Sequence, residues 1–364
     1  MEILSLELSN FRNYENVRLE FDKGTNILYG DNAQGKTNIL EAIYLASTTK
    51  SHKGSKDQDV IRFGQDEAHI RLELEKEELA RRIDMHLKKG RAKGIAIDAH
   101  KIKKASELLG LLNVVFFSPE DLNIIKNGPS ERRRFIDMEL CQLDSFYLYN
   151  LNHYNKIVEQ RNKLLKDIYE HPDLKETLSI WDSQIVSYGN KVIERRAAFV
   201  QQLNDIIRDI HKKLSGEKEE ILITYEPNVT AEQFEGKMRS NLERDIYLKQ
   251  TTSGPHRDDI SFIVNGIDIR KFGSQGQQRT AALSLKLSEI ELVKKITKDT
   301  PVLLLDDVLS ELDSNRQNAL LESIGDIQTL ITCTGLDDFV NKQFSINKVI
   351  RVVQGTIANA EQTQ

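Results

Sequence analysis

Cysteine is scarce in this 364-residue chain: Cys141 and Cys333 stand alone and far apart. Neither has a neighbour at disulfide or metal-ligand spacing, which excludes a disulfide framework and fits a reducing compartment. Long apolar runs are also missing. None approaches the roughly 18 residues that cross a bilayer, and Glu2 stands where a signal peptide carries positive charge. The expectation is a cytoplasmic protein without membrane attachment. A basic excess is absent too, the net charge being −5. A protein that coats nucleic acid over its whole surface is therefore excluded, while local basic patches stay open. Internal repeats and low-complexity tracts are lacking. What is present is 39% apolar residues, enough for a packed core, in a length that suits two domains or one with a large insertion.

Alternation of apolar and polar residues in "EILSLELSNFRNYENVRLEF" predicts two strands turning near Asn13. "GTNILYG" predicts a short strand, and "TNILEAIYLAS" a helix after it. Further strands are read at "AHIRLELEK", "RRIDMHL" and "GIAID". In the middle third, Tyr147, Leu151, Tyr154, Val158, Leu165 and Ile168 step by four and three, with Arg161 in the gap. That is a heptad pattern. Beyond Pro172 a second helix carries Leu178, Trp181, Ile185, Tyr188, Val192, Phe199 and Leu203, so an antiparallel helical hairpin is expected. Strands return at "EILITYEP" and "DDISFIVNG". A long helix then starts at "SQGQQRT", and "QTLITCT" and "KVIRVVQG" supply final strands before a frayed tail, "TIANAEQTQ".

"YGDNAQGKT" fits G-x-x-x-x-G-K-[ST] through Gly30, Gly35, Lys36 and Thr37. Glycines let the loop backbone wrap closely, so that N–H groups from Asp31, Asn32, Ala33, Gln34 and Asn38 and the helix N-terminus can face phosphate. Lys36 is expected on the β- and γ-phosphates of ATP and Thr37 on Mg²⁺. The strand "VLLL" then delivers Asp306 and Asp307 at its carboxyl end. Asp306 is expected to hold Mg²⁺ and Asp307 to orient the attacking water, a plain turn cap being the alternative for Asp307.

About 30 residues earlier, "GSQGQQRTAALSLKLSE" sets Ser274 and Gly276 at a helix start, where an ABC-type signature stands. Unpaired N–H groups and the positive dipole end there suit a γ-phosphate. In ABC-type ATPases that segment completes the site of a second protomer, and "SELD" (Ser310 to Asp313) follows as the dimer-contacting loop does.

With "LSNFRNY", "GPSERRRFID" (Gly128 to Asp137) and "SGPHRDD" (Ser253 to Asp259), these motifs make the chain resemble the RecF family of bacterial recombination mediators, over essentially its whole length. The resemblance implies an α/β fold: an ABC-type, SMC-like P-loop ATPase head with an inserted short helical-hairpin lobe. The head is expected over residues 1–120 and 250–364 and the lobe over 121–249. It further implies an ATP-dependent homodimer on DNA at gaps and single-strand to double-strand junctions. RecO and RecR are the implied partners, and loading of recombinase in replication and repair the implied outcome. Carried over are Arg12 and Asn13 near the nucleotide, Lys36, Thr37 and Asn38 in the loop, Asp306 with Asp307, and Ser274 with Gly276 in trans. Asp307 replaces the usual Glu, Thr334 stands near the place of the switch histidine, and "VVFFSPEDL" offers no evident Q-loop glutamine. These departures read as a slow ATPase used as a switch. The other class considered is an ABC-type subunit of a transport or regulatory complex without DNA.

Two basic features remain. Lys88, Lys89, Arg91, Lys93, Lys101, Lys103 and Lys104 face one acid, Asp98, within their stretch, and read either as a solvated turn or as an edge for DNA phosphates. In "ERRRF", Arg132 and Phe135 share a helix face and Arg133 does not, so some of these arginines can pair with nearby acids. "GPHRDD" reads as an ion-paired turn or as a polar latch beside the signature helix.

Overall fold

A computed structural model describes residues 1–168, 170–325, 327–335 and 346–358. The chain begins with β1 (Glu2–Phe11) and β2 (Tyr14–Glu20), an antiparallel pair, and β3 (Thr25–Tyr29) leads to α1 (Lys36–Thr48). Then come β4 (Glu67–Lys76), β5 (Leu79–Lys88), β6 (Gly94–Ile97), β7 (His100–Lys101) and β8 (Val114–Phe117). Next are α2 (Leu122–Lys126), α3 (Pro129–Leu143), α4 (Ser145–Asp167), α5 (Leu178–Leu214) and β9 (Ile221–Glu226). These are followed by α6 (Phe234–Ser240), α7 (Leu242–Leu248), β10 (Asp259–Val264), β11 (Ile267–Asp268), α8 (Ile269–Phe272) and α9 (Gln275–Thr297). The last elements are β12 (Val302–Asp306), α10 (Ser314–Ile324), β13 (Thr329–Cys333), β14 (Lys348–Val353) and β15 (Thr356–Ala358).

Two compact units result: Met1–Asp121 together with the chain from Glu289, and Leu122–Ser288. The first unit holds two six-stranded sheets, ordered β2-β1-β4-β5-β6-β7 and β15-β14-β3-β13-β12-β8. In the second of these, β14, β3, β13, β12 and β8 run parallel. Strands so placed are continuously apolar, as "VLLL" is, because both faces are covered. One core joins the sheets to α1 through buried Leu6, Ile39, Ile43, Leu72 and Leu304.

In the second unit α4 and α5 form the expected antiparallel hairpin. Arg161 of α4 meets Asp182 of α5, and Asp144, the N-cap of α4, meets Arg195 further along α5. Tyr147, Leu151, Tyr154, Val158 and Leu165 are buried as the heptad spacing requires.

Two boundaries are corrected. The expected return to the head at residue 250 moves to Glu289, because β10 pairs with β9 and His211 Nδ1 lies 2.9 Å from Ser284 Oγ. The expected frayed tail begins too early. Thr356–Ala358 is a strand, folded back on β14 by a two-residue turn in which Gln354 and Gly355 both have positive φ, 47° and 73°. The last six residues lie outside the described ones.

Candidate functional site

Phosphate-type loops work at the carboxyl ends of parallel strands, and this one leaves the carboxyl end of β3 in the middle of the sheet. Gly35 caps α1 with φ 116°; a Cβ there would stand 2.6 Å from the Asn13 amide and 2.9 Å from the Tyr14 hydroxyl. Those same groups brace the loop from outside. Asn13 Nδ2 donates to the Gln34 carbonyl at 3.0 Å, Tyr14 Oη to the Gly35 carbonyl at 3.1 Å, and Asn38 Nδ2 to Asn13 Oδ1 at 2.8 Å. The β14–β15 turn adds the Gly355 N–H, 3.0 Å from the Gln34 carbonyl. Asn13 thus supports the loop through its backbone and the first turn of α1.

Lys36 is buried, and its Nζ donates to the carbonyls of Gly30 (2.6 Å) and Asp31 (2.9 Å). Thr37 Oγ1 donates to Asp306 Oδ1 at 2.8 Å, so β12 and the loop meet at hard oxygen donors. Such donors suit Mg²⁺ better than a soft metal. Thr332, register partner of Asp306 across β13, escapes sequence reasoning. Its hydroxyl donates to Asp306 at 2.8 Å and accepts the Asp307 N–H at 3.0 Å. Asp307 itself is left-handed, φ 52°, which turns the chain sharply as β12 ends.

Arg12, expected near the nucleotide, is committed to the flank of α1. Its Nε and Nη2 donate to Glu41 at 2.8 and 2.7 Å, Nη2 also to Ser55 Oγ, and Nη1 to the Asp59 carbonyl. Burial pushes the Glu41 carboxyl up, but hydrogen bonds from Arg12 and Ser51 outweigh it and hold the group below its ordinary range.

Ser274 and Gly276 are exposed at the start of α9 in the second unit. Ser274 Oγ accepts the Gln277 N–H at 3.2 Å, and Gln277 Oε1 accepts the Ser274 N–H at 3.0 Å. This reciprocal capping box fixes the helix start.

The hallmark motifs of the second unit find each other. Arg132 grips Asp259 with Nε (2.6 Å) and Nη2 (2.9 Å), and Arg133 donates to the Asp258 carbonyl at 2.7 Å. Arg196 reaches Asp258 at 2.9 Å, Asp137 at 2.8 Å and the Pro255 carbonyl at 2.6 Å. The ion-paired reading of "ERRRF" and "GPHRDD" therefore holds at Arg132 and Asp259.

The seven basic residues proposed for DNA do not form one open edge. Lys88 pairs with Glu67 (2.9 Å), Lys89 with Asp66 (3.4 Å) and Lys93 with Asp57 (2.8 Å). Arg91, Lys101, Lys103 and Lys104 are exposed and have no acidic partner among the described residues. Among the described residues, no helix is long and apolar enough to cross a membrane.

A glycine loop braced at β3, an aspartate strand two places along the sheet, and a signature-like helix start are the parts of an SMC-like ABC-type ATPase head. A solved Smc head from Pyrococcus furiosus shares this fold, with a TM-score of 0.57 at 18% identity over 98% of this chain and 95% of that one. The sequence family described as RecF/RecN/SMC N terminal domain matches residues 2–358. Two proteins named DNA replication and repair protein RecF are highly similar. That of Agathobacter rectalis is 64% identical and that of Lachnoclostridium phytofermentans 61%, each over 98% of this chain and 99% of the relative. A solved structure described as the recombination mediator protein RecF-ATPrS in the RecFOR pathway superposes with a TM-score of 0.90. Its identity is 35%, over 98% of this chain and 97% of that one. The chain belongs to the RecF family.

Proposed function

We propose that this chain is an ATP-binding protein of DNA replication and repair that closes as a head-to-tail homodimer on DNA and reopens by slow hydrolysis. The observation that carries the reading is the meeting of Thr37 with Asp306 at 2.8 Å beside a buried Lys36 held on its own loop carbonyls. Solved RecF relatives described with ATP and ATPrS support the choice of nucleotide. Mg²⁺, when bound at this site, would supply neutralisation of the phosphate charge. Lys36 gives up the Gly30 and Asp31 carbonyls for phosphate oxygens, while the backbone of Asp31 to Gly35 and the first turn of α1 surround them. Thr37 and Asp306 would hold the cation. Asp307 orients water, and a side chain one methylene shorter than Glu makes that step slow. The Ser274 to Gly276 turn serves the nucleotide of the second protomer, so the dimer forms only when nucleotide is bound.

The DNA is gapped, gripped by phosphates on its double-stranded side, with RecO and RecR as partners in loading recombinase; family membership supports these roles. Lys36→Ala is expected to lose ATP binding and, with it, ATP-dependent association with gapped DNA, measured by fluorescence anisotropy at fixed salt. Normal DNA affinity of this variant with ATP present would sink the clamp mechanism.

A further inference from the structure

The outer face of the antiparallel sheet carries a cluster that has no part in nucleotide chemistry. His69 in β4 and His86 in β5 are register partners, and their rings stack at 4.4 Å with planes 4° apart. Glu67 lies two residues from His69, on the same face of β4, because side chains on a strand repeat every second residue. His86 Nε2 stands 3.3 Å from Glu67 Oε2. One ligand atom from each of Glu67, His69 and His86 falls within 4.8 Å of the other two. A tetrahedral ion with bonds near 2.0–2.1 Å holds its ligand atoms roughly 3.4 Å apart. The His86–Glu67 pair already has that spacing; the exposed His69 ring, stacked parallel to His86, must rotate out of the stack to aim its lone pair at the same ion.

The surroundings leave the remaining coordination position accessible. His69 and His86 line a surface groove of about 840 Å³ across β1, β2, β4, β5 and β6. The strand neighbours in their row are Ser9 and Gly94, both small, while the longer side chains of Arg18, Arg71 and Lys101 line the groove further off. Neutral imidazoles with one carboxylate form a borderline-soft donor set, suited to Zn²⁺ and unlike the all-oxygen pair of Thr37 and Asp306.

We propose that Glu67, His69 and His86 form a surface Zn²⁺ site with three protein ligands and a fourth position open to the groove. The ion clasps β4 to β5 and offers the groove a Lewis-acidic point where water or an anionic group of a bound partner can attach. Lys88 Nζ, 2.9 Å from Glu67 Oε2, is the competitor that the ion displaces.

Titration calorimetry of the full chain with ZnCl₂, without nucleotide, tests the site. One tight equivalent is expected. His69→Ala and His86→Ala are each expected to weaken it by at least about 10-fold, and Lys88→Ala to strengthen it. Substitution with Co²⁺ should give the visible bands of a tetrahedral nitrogen–oxygen site without thiolate charge transfer. Unchanged circular dichroism and thermal unfolding of the metal-free variants exclude a folding defect. The assignment is overturned if wild type takes up no zinc, if the double variant His69→Ala/His86→Ala binds as tightly as wild type, or if thiolate bands reveal cysteine ligands. It is also overturned if Lys88→Ala leaves the affinity unchanged or weaker. The Lys36→Ala variant should retain the zinc equivalent, which separates this outcome from the fate of the ATP clamp.

Discussion

His256 shows how one ring can be fixed by the need to satisfy both its nitrogens. Nε2 lies 3.0 Å from the Thr251 carbonyl and must donate there, which leaves Nδ1 to accept the Tyr154 hydroxyl at 2.6 Å. Gly254 makes room for this arrangement. At φ 127°, a Cβ there would come within 2.3 Å of Tyr154 Oη. Burial, aided by the positive charges of Arg257 and Arg133, pushes the imidazole down to about 4. The folded protein thus binds this proton less readily than the unfolded chain, whose histidines titrate near 6.5. The stabilisation is whole above about pH 6.5 and is lost as pH falls toward 4, up to about 3 kcal/mol in all. Thermal unfolding followed from pH 7 to pH 4 should show a flatter acid decline for His256→Gln than for wild type. Parallel declines would show that His256 does not titrate in this way.

Among the elements, the helical hairpin depends on one charged residue inside an apolar pattern. Arg161 occupies a core position of α4 and is wholly buried with Asp245 at 2.7 Å, its Nε reaching Asp182 at 2.6 Å. Burial raises Asp182, and Arg161 works against that rise. Arg161→Met keeps roughly the volume but leaves the buried Asp245 carboxylate without its cation, the Thr252 N–H and hydroxyl still donating to Oδ1, which costs about 3–5 kcal/mol. Urea unfolding should register that loss, and adding Asp245→Asn should recover part of it. A loss below about 1 kcal/mol, the worth of an exposed pair, would contradict the buried-pair assignment. The hairpin itself was legible from residue spacing, because a helix writes its buried face into neighbouring positions. The partners of Arg161 were not, since Asp245 comes from α7, 84 residues on. The ion pairs of the basic stretch were hidden for the same reason: Glu67, Asp66 and Asp57, which pair with Lys88, Lys89 and Lys93, all lie outside it in sequence. The loop from Gly30 to Thr37 was readable because its chemistry is local. Thr332 was hidden because only strand register sets it beside Asp306 and Asp307.

For the whole molecule, the proposed clamp separates binding from release. Asp307→Asn removes the group proposed to orient water and leaves Lys36, Thr37 and Asp306 in place, so ATP should bind and the dimer should persist. Multi-angle light scattering with ATP is expected to give a dimer mass that outlasts that of wild type. A monomer alone would remove Ser274 and Gly276 from the site of a second chain.

Sheet order also has a consequence for how this protein is made. The strand that launches the nucleotide loop, β3, lies between β13 and β14, while the whole of Leu122–Ser288 is translated before either of those partners exists. On the ribosome the later-encoded helical unit can therefore mature first, with β3 waiting unpaired for strands made long after it. Pairings so distant in sequence form slowly. The nucleotide loop is among the first functional segments synthesised, yet its strand is among the last to find both partners.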